Sequence, residues 1–261
     1  MTLVNPKYDR LSAWLLSPAQ IMQTATPIHI GRNTLAVTEL DGTELCIKQY
    51  AVPSAFKSFV YKYLCKPKGL RAWQHSDLLR QAGFFSPENI AYIDYCTPTG
   101  LGVSYYICRY EHGTTLYHWG DKSLEEIADG VIALAQHTAA LHNSRLLLRD
   151  YTPGNILLTD NGFCFVDTNR MKQGYVSIEA GLRNMAGLWL QPEAADLLAK
   201  TYLQCRNSHT NSDDSNMVSL FKHYRKKFWQ RFARRHNLHG EIVHHDLDGG
   251  EYHFCYESTI R

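Results

Sequence analysis

The chain has 261 residues, 44% of them apolar, enough to bury one large core or two smaller ones. A formal net charge of +2 gives no global reason to bind nucleic acid, and the seven cysteines contain no Cys-x-x-Cys pair, which suits a reducing compartment better than a disulfide framework. No uncharged apolar run is long enough to span a bilayer and residues 1–20 lack a signal-peptide core, so a cytoplasmic location is expected.

Thr24 to Ile30 has strand composition and ends at Gly31-Arg32-Asn33. Thr34 to Leu40 alternates like a second strand, Asp41-Gly42 is a hairpin turn, and Thr43 to Tyr50 is a third strand. Pairing about that turn sets Lys48 near Leu35, just beyond the Gly31 turn, where an ammonium can reach the phosphates of a nucleotide. A lone strand lysine is usually solvated; its place in the order of parts singles this one out. Only one glycine stands at the turn, so cradling of phosphates by backbone amides is weakly encoded. Residues 56 to 69 mix aromatics with Lys57, Lys62, Lys66 and Lys68. A helix is expected from about Leu70 to Ala82, closed by Gly83. It carries Gln74 and Asp77 but no glutamate; Gln74 can hydrogen-bond Lys48 without neutralising it. Tyr92 to Tyr95 and Val103 to Tyr110 read as further strands. Glu111-His112-Gly113 then reads as the crossing into a second lobe, where an adenine would bond backbone groups.

Leu124 to Asn143 has the apolar spacing of a helix and runs into Leu146-Leu147-Leu148. The next stretch, Arg149-Asp150-Tyr151-Thr152-Pro153-Gly154-Asn155, is followed by a short apolar strand from Ile156 to Leu158. Asn161-Gly162 is a strong hairpin signal, and Phe163 to Val166 is the return strand, ending at Asp167. This pairing sets Asn155 and Asp167 side by side, with Asp150 a turn upstream. An Asp-x-x-x-x-Asn run alone is mostly turn chemistry. Joined to a buried hairpin with an acid at its exit, it is a rarer combination. An amide oxygen and a carboxylate together can hold Mg²⁺, and a second carboxylate can take a proton from an attacking hydroxyl, the arrangement of kinase-fold phosphoryl transfer.

Helices are expected at about Ala180 to Leu190 and Pro192 to Cys205, with a polar loop from Asn207 to Asn216. From Phe221 to Asn237, Phe221, Tyr224, Phe228 and Phe232 share one helical face. Lys222, Arg225, Lys226, Lys227, Arg231, Arg234 and Arg235 lie around the rest. The plain reading is a helix packing its aromatic stripe on its own lobe. Its basic outer face would also favour an anionic lipid surface or a phosphorylated glycan. His236, His239, His244 and His245 are too irregularly spaced to argue for a metal site.

Gly31-Arg32-Asn33-Thr34, the Lys48 strand, Arg71-Ala72-Trp73, Asp150 to Leu157, Val166 to Met171 and Tyr224 to Trp229 together resemble the lipopolysaccharide core kinases. These form the Kdo/WaaP (InaA-like) branch of the protein-kinase-like fold, here nearest in feel to Bacteroidetes-type members. The resemblance spans about Ile28 to His236, and the block from Asp150 to Met171 is its most specific part. It implies an α+β, two-lobed kinase fold: an antiparallel sheet with one helix over residues 1–110, a mainly helical lobe over 111–240, and a tail over 241–261. It implies ATP and Mg²⁺ as donor and cofactor, and a sugar hydroxyl of the lipid-linked lipopolysaccharide inner core, such as Kdo or heptose, as acceptor. Asp150 would be the base with Arg149 beside it, and Asn155 and Asp167 the metal ligands. Lys48 would contact the phosphates, with Gly31, Gln74 and Glu111 around the nucleotide. Binding would be peripheral, at the cytoplasmic face of the inner membrane. The chain departs from the family pattern at Gln74, where a glutamate is usual, and from the protein-kinase pattern at Leu148 for histidine and Thr152 for lysine. The departures leave a pseudokinase, a nucleotide-holding regulatory module, as the rival from another class. A kinase of a protein or of another small molecule would share the site and differ in acceptor.

Overall fold

A computed structural model describes residues 1–206, 214–245 and 250–260. The chain divides into two compact units, one of residues 1–112 with 164–170, the other of 113–163 with 171–261.

The first unit is built on strands β1 (Thr2–Val4), β2 (Thr26–Ile30), β3 (Asn33–Leu40), β4 (Thr43–Tyr50), β5 (Asn89–Thr97) and β6 (Gly100–Arg109). They form one antiparallel sheet in the order β1-β5-β6-β4-β3-β2. The Asp41-Gly42 turn fixes its centre: Asp41 and Gly42 both have positive φ, and β3 pairs with β4 so that Leu35 faces Lys48, as the hairpin reading requires. Four helices accompany the sheet, α1 (Ser12–Leu15), α2 (Pro18–Thr24), α3 (Ala55–Tyr63) and α4 (Lys68–Gln81), where one was expected. Residues 1–23, for which no element was expected, are built into the sheet unit. Tyr8, Leu11, Leu15 and Ile21 pack on Leu45, Ile47, Ile90 and Ile107 in one core. Tyr50, Ala72, Tyr106 and Cys108 make a second core with α4. Helix α4 ends where Gly83 was read as a stop. The Gly83 amide donates to the Arg80 carbonyl and the Phe84 amide to that of Leu79, and Gly83 takes the left-handed φ of 85° that this double closure needs.

In the second unit β7 (Thr114–Thr115) precedes α5 (Leu124–Asn143), β8 (Leu146–Leu147) and β9 (Ile156–Thr159), and the hairpin strand β10 (Gly162–Phe165) starts here and has its last two residues in the first unit. The hairpin turns at Asp160-Asn161, not Asn161-Gly162. Thr159 Oγ1 donates to the Gly162 carbonyl and accepts from the Asn161 amide, so Gly162 already begins the return strand. Then follow β11 (Lys172–Gln173), α6 (Ile178–Met185), α7 (Pro192–Arg206), α8 (Asp214–His236), β12 (Glu241–His245), β13 (Glu251–Cys255) and α9 (Glu257–Ile260). Ser123 and Glu126 close a reciprocal capping box on α5, which packs along α7. Most of the segment read as a loop from Asn207 to Asn216 lies outside the described residues; its last part is already helix α8.

Two expectations are corrected here. Helix α6 stops at Met185, short of Leu190, and Phe254 and Tyr256, in the stretch expected to be a tail, join Trp189 and Trp229 in a core. Arg225 links both corrections. It is not on the basic outer face of α8 but 2% exposed, with Phe221 and Trp229 one turn to either side, both buried. Its guanidinium donates to the carbonyls of Leu188 (3.1 Å) and Leu190 (2.6 Å), the chain that has left helix α6. Burial pushes its pKa down to about 10, so it remains charged at neutral pH. Arg225→Ala would take a donor from each carbonyl, leaving Leu188 with the Leu190 amide alone, and is expected to cost about 2–4 kcal/mol. Exposed Arg234→Glu should cost well under about 1 kcal/mol. Denaturant melts of the two variants check this; equal losses would contradict it.

Candidate active site

In the first unit, Lys48 sits mid-strand on β4, paired with Leu35 on one side and Tyr106 on the other. It is 9% exposed, unusual for a lysine. Its Nζ lies 2.7 Å from Asp167 Oδ1 and 5.6 Å from the centroid of the Tyr50 ring. A buried ammonium needs a charged or strongly accepting partner, and Asp167 is that partner. The segment bearing Asp167 is fastened to this unit. The Phe165 amide donates to the Phe85 carbonyl (2.9 Å), Ser86 Oγ to the Phe165 carbonyl (2.9 Å), and Thr168 Oγ1 to the Ala72 carbonyl in α4 (3.3 Å). His75 Nδ1, also on α4, lies 2.7 Å from the Thr168 carbonyl. Asp167 has φ of 51°, in the left-handed region that a non-glycine residue rarely adopts. The Asn169 side-chain amide donates to its Oδ1.

Gln74 is not where the sequence reading put it. Its Oε1 accepts from Lys66 Nζ at 2.9 Å, and the acid that meets Lys48 comes from Asp167 instead. Asp77 is occupied too, accepting from Asn89 Nδ2 at 2.7 Å, and burial raises its pKa. Gly31 is exposed in the turn between β2 and β3 and does not have a positive φ, so the backbone there does not demand glycine. Glu111, half-buried just after β6, has its pKa raised by burial.

In the second unit, the loop from Arg149 to Asn155 is locked from both ends. Asn155 Nδ2 donates to the Asp150 carbonyl at 2.9 Å, and the Thr152 amide donates to the same carbonyl at 3.0 Å. Committing its nitrogen to the backbone fixes the Asn155 amide and leaves Oδ1 as its acceptor, the atom that suits a hard cation. Gly154 is needed for close approach, because a Cβ there would meet Tyr117 Cε2 at 2.8 Å. Tyr151 is buried, and its hydroxyl lies 2.5 Å from Thr138 Oγ1 of α5. Asp150 is half-buried and Arg149 exposed.

Leu148 stands where a histidine is usual, and the loop's entry is held by other residues that the sequence did not single out. Asn184 of α6 donates through Nδ2 to the Leu148 carbonyl at 2.8 Å. Its Oδ1 accepts from His142 Nε2 at 3.3 Å, and His142 Nδ1 accepts from the Tyr202 hydroxyl at 2.9 Å. That pattern fits a neutral imidazole, and burial, with Arg206 nearby, pushes the His142 pKa down to about 4. The unfolded chain takes up the proton below about 6.5, whereas the folded chain resists until about 4. The network's contribution is therefore complete above pH 6.5 and lost as pH falls toward 4, by up to ~3 kcal/mol. Melting temperatures across that range should fall more steeply for wild type than for His142→Gln; parallel curves would refute the assignment.

Elsewhere in this unit His244 stacks on Tyr117, with ring centroids 3.9 Å apart, and both ring nitrogens of His253 lie 2.8 Å from Glu241 and Glu251. These contacts give the histidines packing and ion-pair roles.

Each implied ligand thus has suitable chemistry in its own unit. Asp167 is a carboxylate and Asn155 an oriented amide oxygen, the hard donors Mg²⁺ prefers, and Lys48 is a buried cation able to meet a phosphate.

No family model and no curated protein matches the sequence. Solved structures do. That of WaaP in complex with acyl carrier protein aligns with a TM-score of 0.60 at 14% identity, over 88% of this chain and 99% of that one. An aminoglycoside-3'-phosphotransferase of type VIII aligns with a TM-score of 0.54 at 11% identity, over 83% of this chain and 99% of that one. At such identities the likeness is one of fold, and it agrees with an antiparallel sheet in one unit and mainly helices in the other. The chain has the α+β, protein-kinase-like fold.

Proposed function

We propose that this protein is an ATP- and Mg²⁺-dependent phosphotransferase acting on a sugar hydroxyl, Kdo or heptose, of the lipid-linked lipopolysaccharide inner core at the cytoplasmic face of the inner membrane. The observation that carries the reading is the buried Lys48 ammonium, 2.7 Å from an Asp167 held on left-handed backbone. The acceptor class rests on the residue pattern from Asp150 to Met171 and on the likeness to WaaP.

Bound ATP-Mg²⁺ supplies the phosphoryl group and neutralises its charge. Lys48 would contact the phosphates, Asp167 and Asn155 would offer oxygen ligands to Mg²⁺, and the Gly31 turn and the chain at Glu111 would add nucleotide contacts. Asp150 receives the proton of the acceptor hydroxyl as the acceptor oxygen bonds to phosphorus and the bond to the departing ADP oxygen breaks. Arg149 steadies the charge beside it. Little covalent help is needed, so catalysis rests on positioning and charge.

A regulatory pseudokinase is the second reading, favoured by one observation: the side chain on α4 expected to meet Lys48 bonds Lys66 instead. The two readings part in one assay, transfer of labelled phosphate from ATP-Mg²⁺ to a Kdo-containing lipid A precursor. Product supports the phosphotransferase; tight Mg-ATP binding without product on any glycan supports the pseudokinase.

A further inference from the structure

Helix α3 carries several exposed aromatic side chains. Its inner side is fixed by Ser58, whose hydroxyl donates to the Leu101 carbonyl at 2.6 Å, and by Lys62, whose Nζ donates to the carbonyls of Thr97 and Pro98 at 2.8 and 3.0 Å. Its outer side carries Phe56 (77% exposed), Phe59 (50%) and Tyr63 (55%), spaced to share one helical face. The Phe59 and Tyr63 rings are 4.9 Å apart, and Val52 before the helix and Leu64 after it are exposed as well. Scattered exposed apolar residues are ordinary, but a run of this kind on one element marks an interaction surface.

Charge says what covers it. From Leu45 to Ser76 the chain has no acidic residue and six basic ones, of which Lys57 and Lys66 are exposed around the aromatic stripe. Aromatic rings beside lysines on one short helix match the polar–apolar boundary of an anionic bilayer, where rings sit among headgroups and lysine stems reach outward. Helix α8, the other basic element, lacks half of this pairing. It offers exposed Lys226, Lys227, Arg231 and Arg234, but Phe221 and Trp229 are in the core. We propose that α3, through Phe56, Phe59, Tyr63 and Lys57, docks this protein on an anionic lipid bilayer. A bilayer needs no carved complementary surface and no acidic side chains on the protein, and α3 presents neither.

Docking goes beyond the phosphotransferase reading and is measured without nucleotide, so each can fail alone. The test is co-sedimentation of the full chain with vesicles of phosphatidylcholine, with and without phosphatidylglycerol. Wild type should sediment with the phosphatidylglycerol vesicles and release as salt is raised. Phe56→Ser with Phe59→Ser should weaken binding at least about tenfold and Lys57→Glu a few-fold, with melting temperatures unchanged because these side chains are exposed. Lys226→Glu with Arg234→Glu should bind nearly as wild type. The proposal is overturned if wild type stays in the supernatant, if the phenylalanine variant binds undiminished, or if only the α8 variant loses binding. It is also overturned if the α3 face instead mediates self-association, or capture of an acidic protein, while vesicles are ignored.

Discussion

Asp150→Asn is expected to lower phosphate transfer at least about 10³-fold while leaving Mg-ATP affinity within about twofold. A positioned base contributes about 10²–10⁴ in rate, and asparagine fills the same space without accepting the proton. The Asp150 backbone carbonyl, which accepts from Asn155 and Thr152, and the Tyr151 hydroxyl beside Thr138 are untouched by the substitution. A denaturant melt of the variant separates lost proton transfer from lost loop stability. Turnover near wild type would remove Asp150 from the mechanism, whatever the acceptor.

Asp167→Asn should act on binding first. Removing the carboxylate takes away the proposed metal ligand and leaves Lys48, 9% exposed, without its countercharge. Mg-ATP affinity is expected to fall at least about tenfold, and stability by about 1–3 kcal/mol for the unpaired ammonium. Asparagine is the better probe than alanine. It tolerates the left-handed φ of 51° at this position, so the loss reports charge and not backbone strain. Isothermal titration with Mg-ATP and a denaturant melt separate the two effects. Unchanged Mg-ATP affinity with lowered stability would make the pair structural only.

The sequence carried the local parts of this site and not the long-range ones. The Asp41-Gly42 turn is a strong short-range signal, and it alone sets Lys48 opposite Leu35. Gly83 closed α4 for the same kind of local reason. The partner of Lys48 was out of reach, because turn and helix signals say nothing about which distant carboxylate arrives. Gln74 was chosen from the helix expected to deliver it, yet it bonds Lys66, which lies just ahead of that helix. Arg225 was misread for another reason. The spacing of Phe221, Arg225 and Trp229 makes as good a buried stripe as Phe221, Tyr224, Phe228 and Phe232, but a pattern that treats every arginine as outward discards it. Burial becomes favourable once the backbone beyond α6 supplies carbonyls at Leu188 and Leu190. The His142–Asn184–Leu148 chain was hidden likewise, since a histidine and an asparagine on separate helices carry no sequence signal until the helices pack. Strand β1 is three residues long, too short for periodicity, and exists because β5 offers an edge.

The most direct measurement is transfer of labelled phosphate from ATP-Mg²⁺ to Kdo-containing lipid A precursor by wild type and Asp150→Asn side by side. The account predicts a phosphorylated glycan with wild type and its disappearance with the variant. Equal product from both, or Mg-ATP binding by wild type with no product on any sugar acceptor, would contradict it.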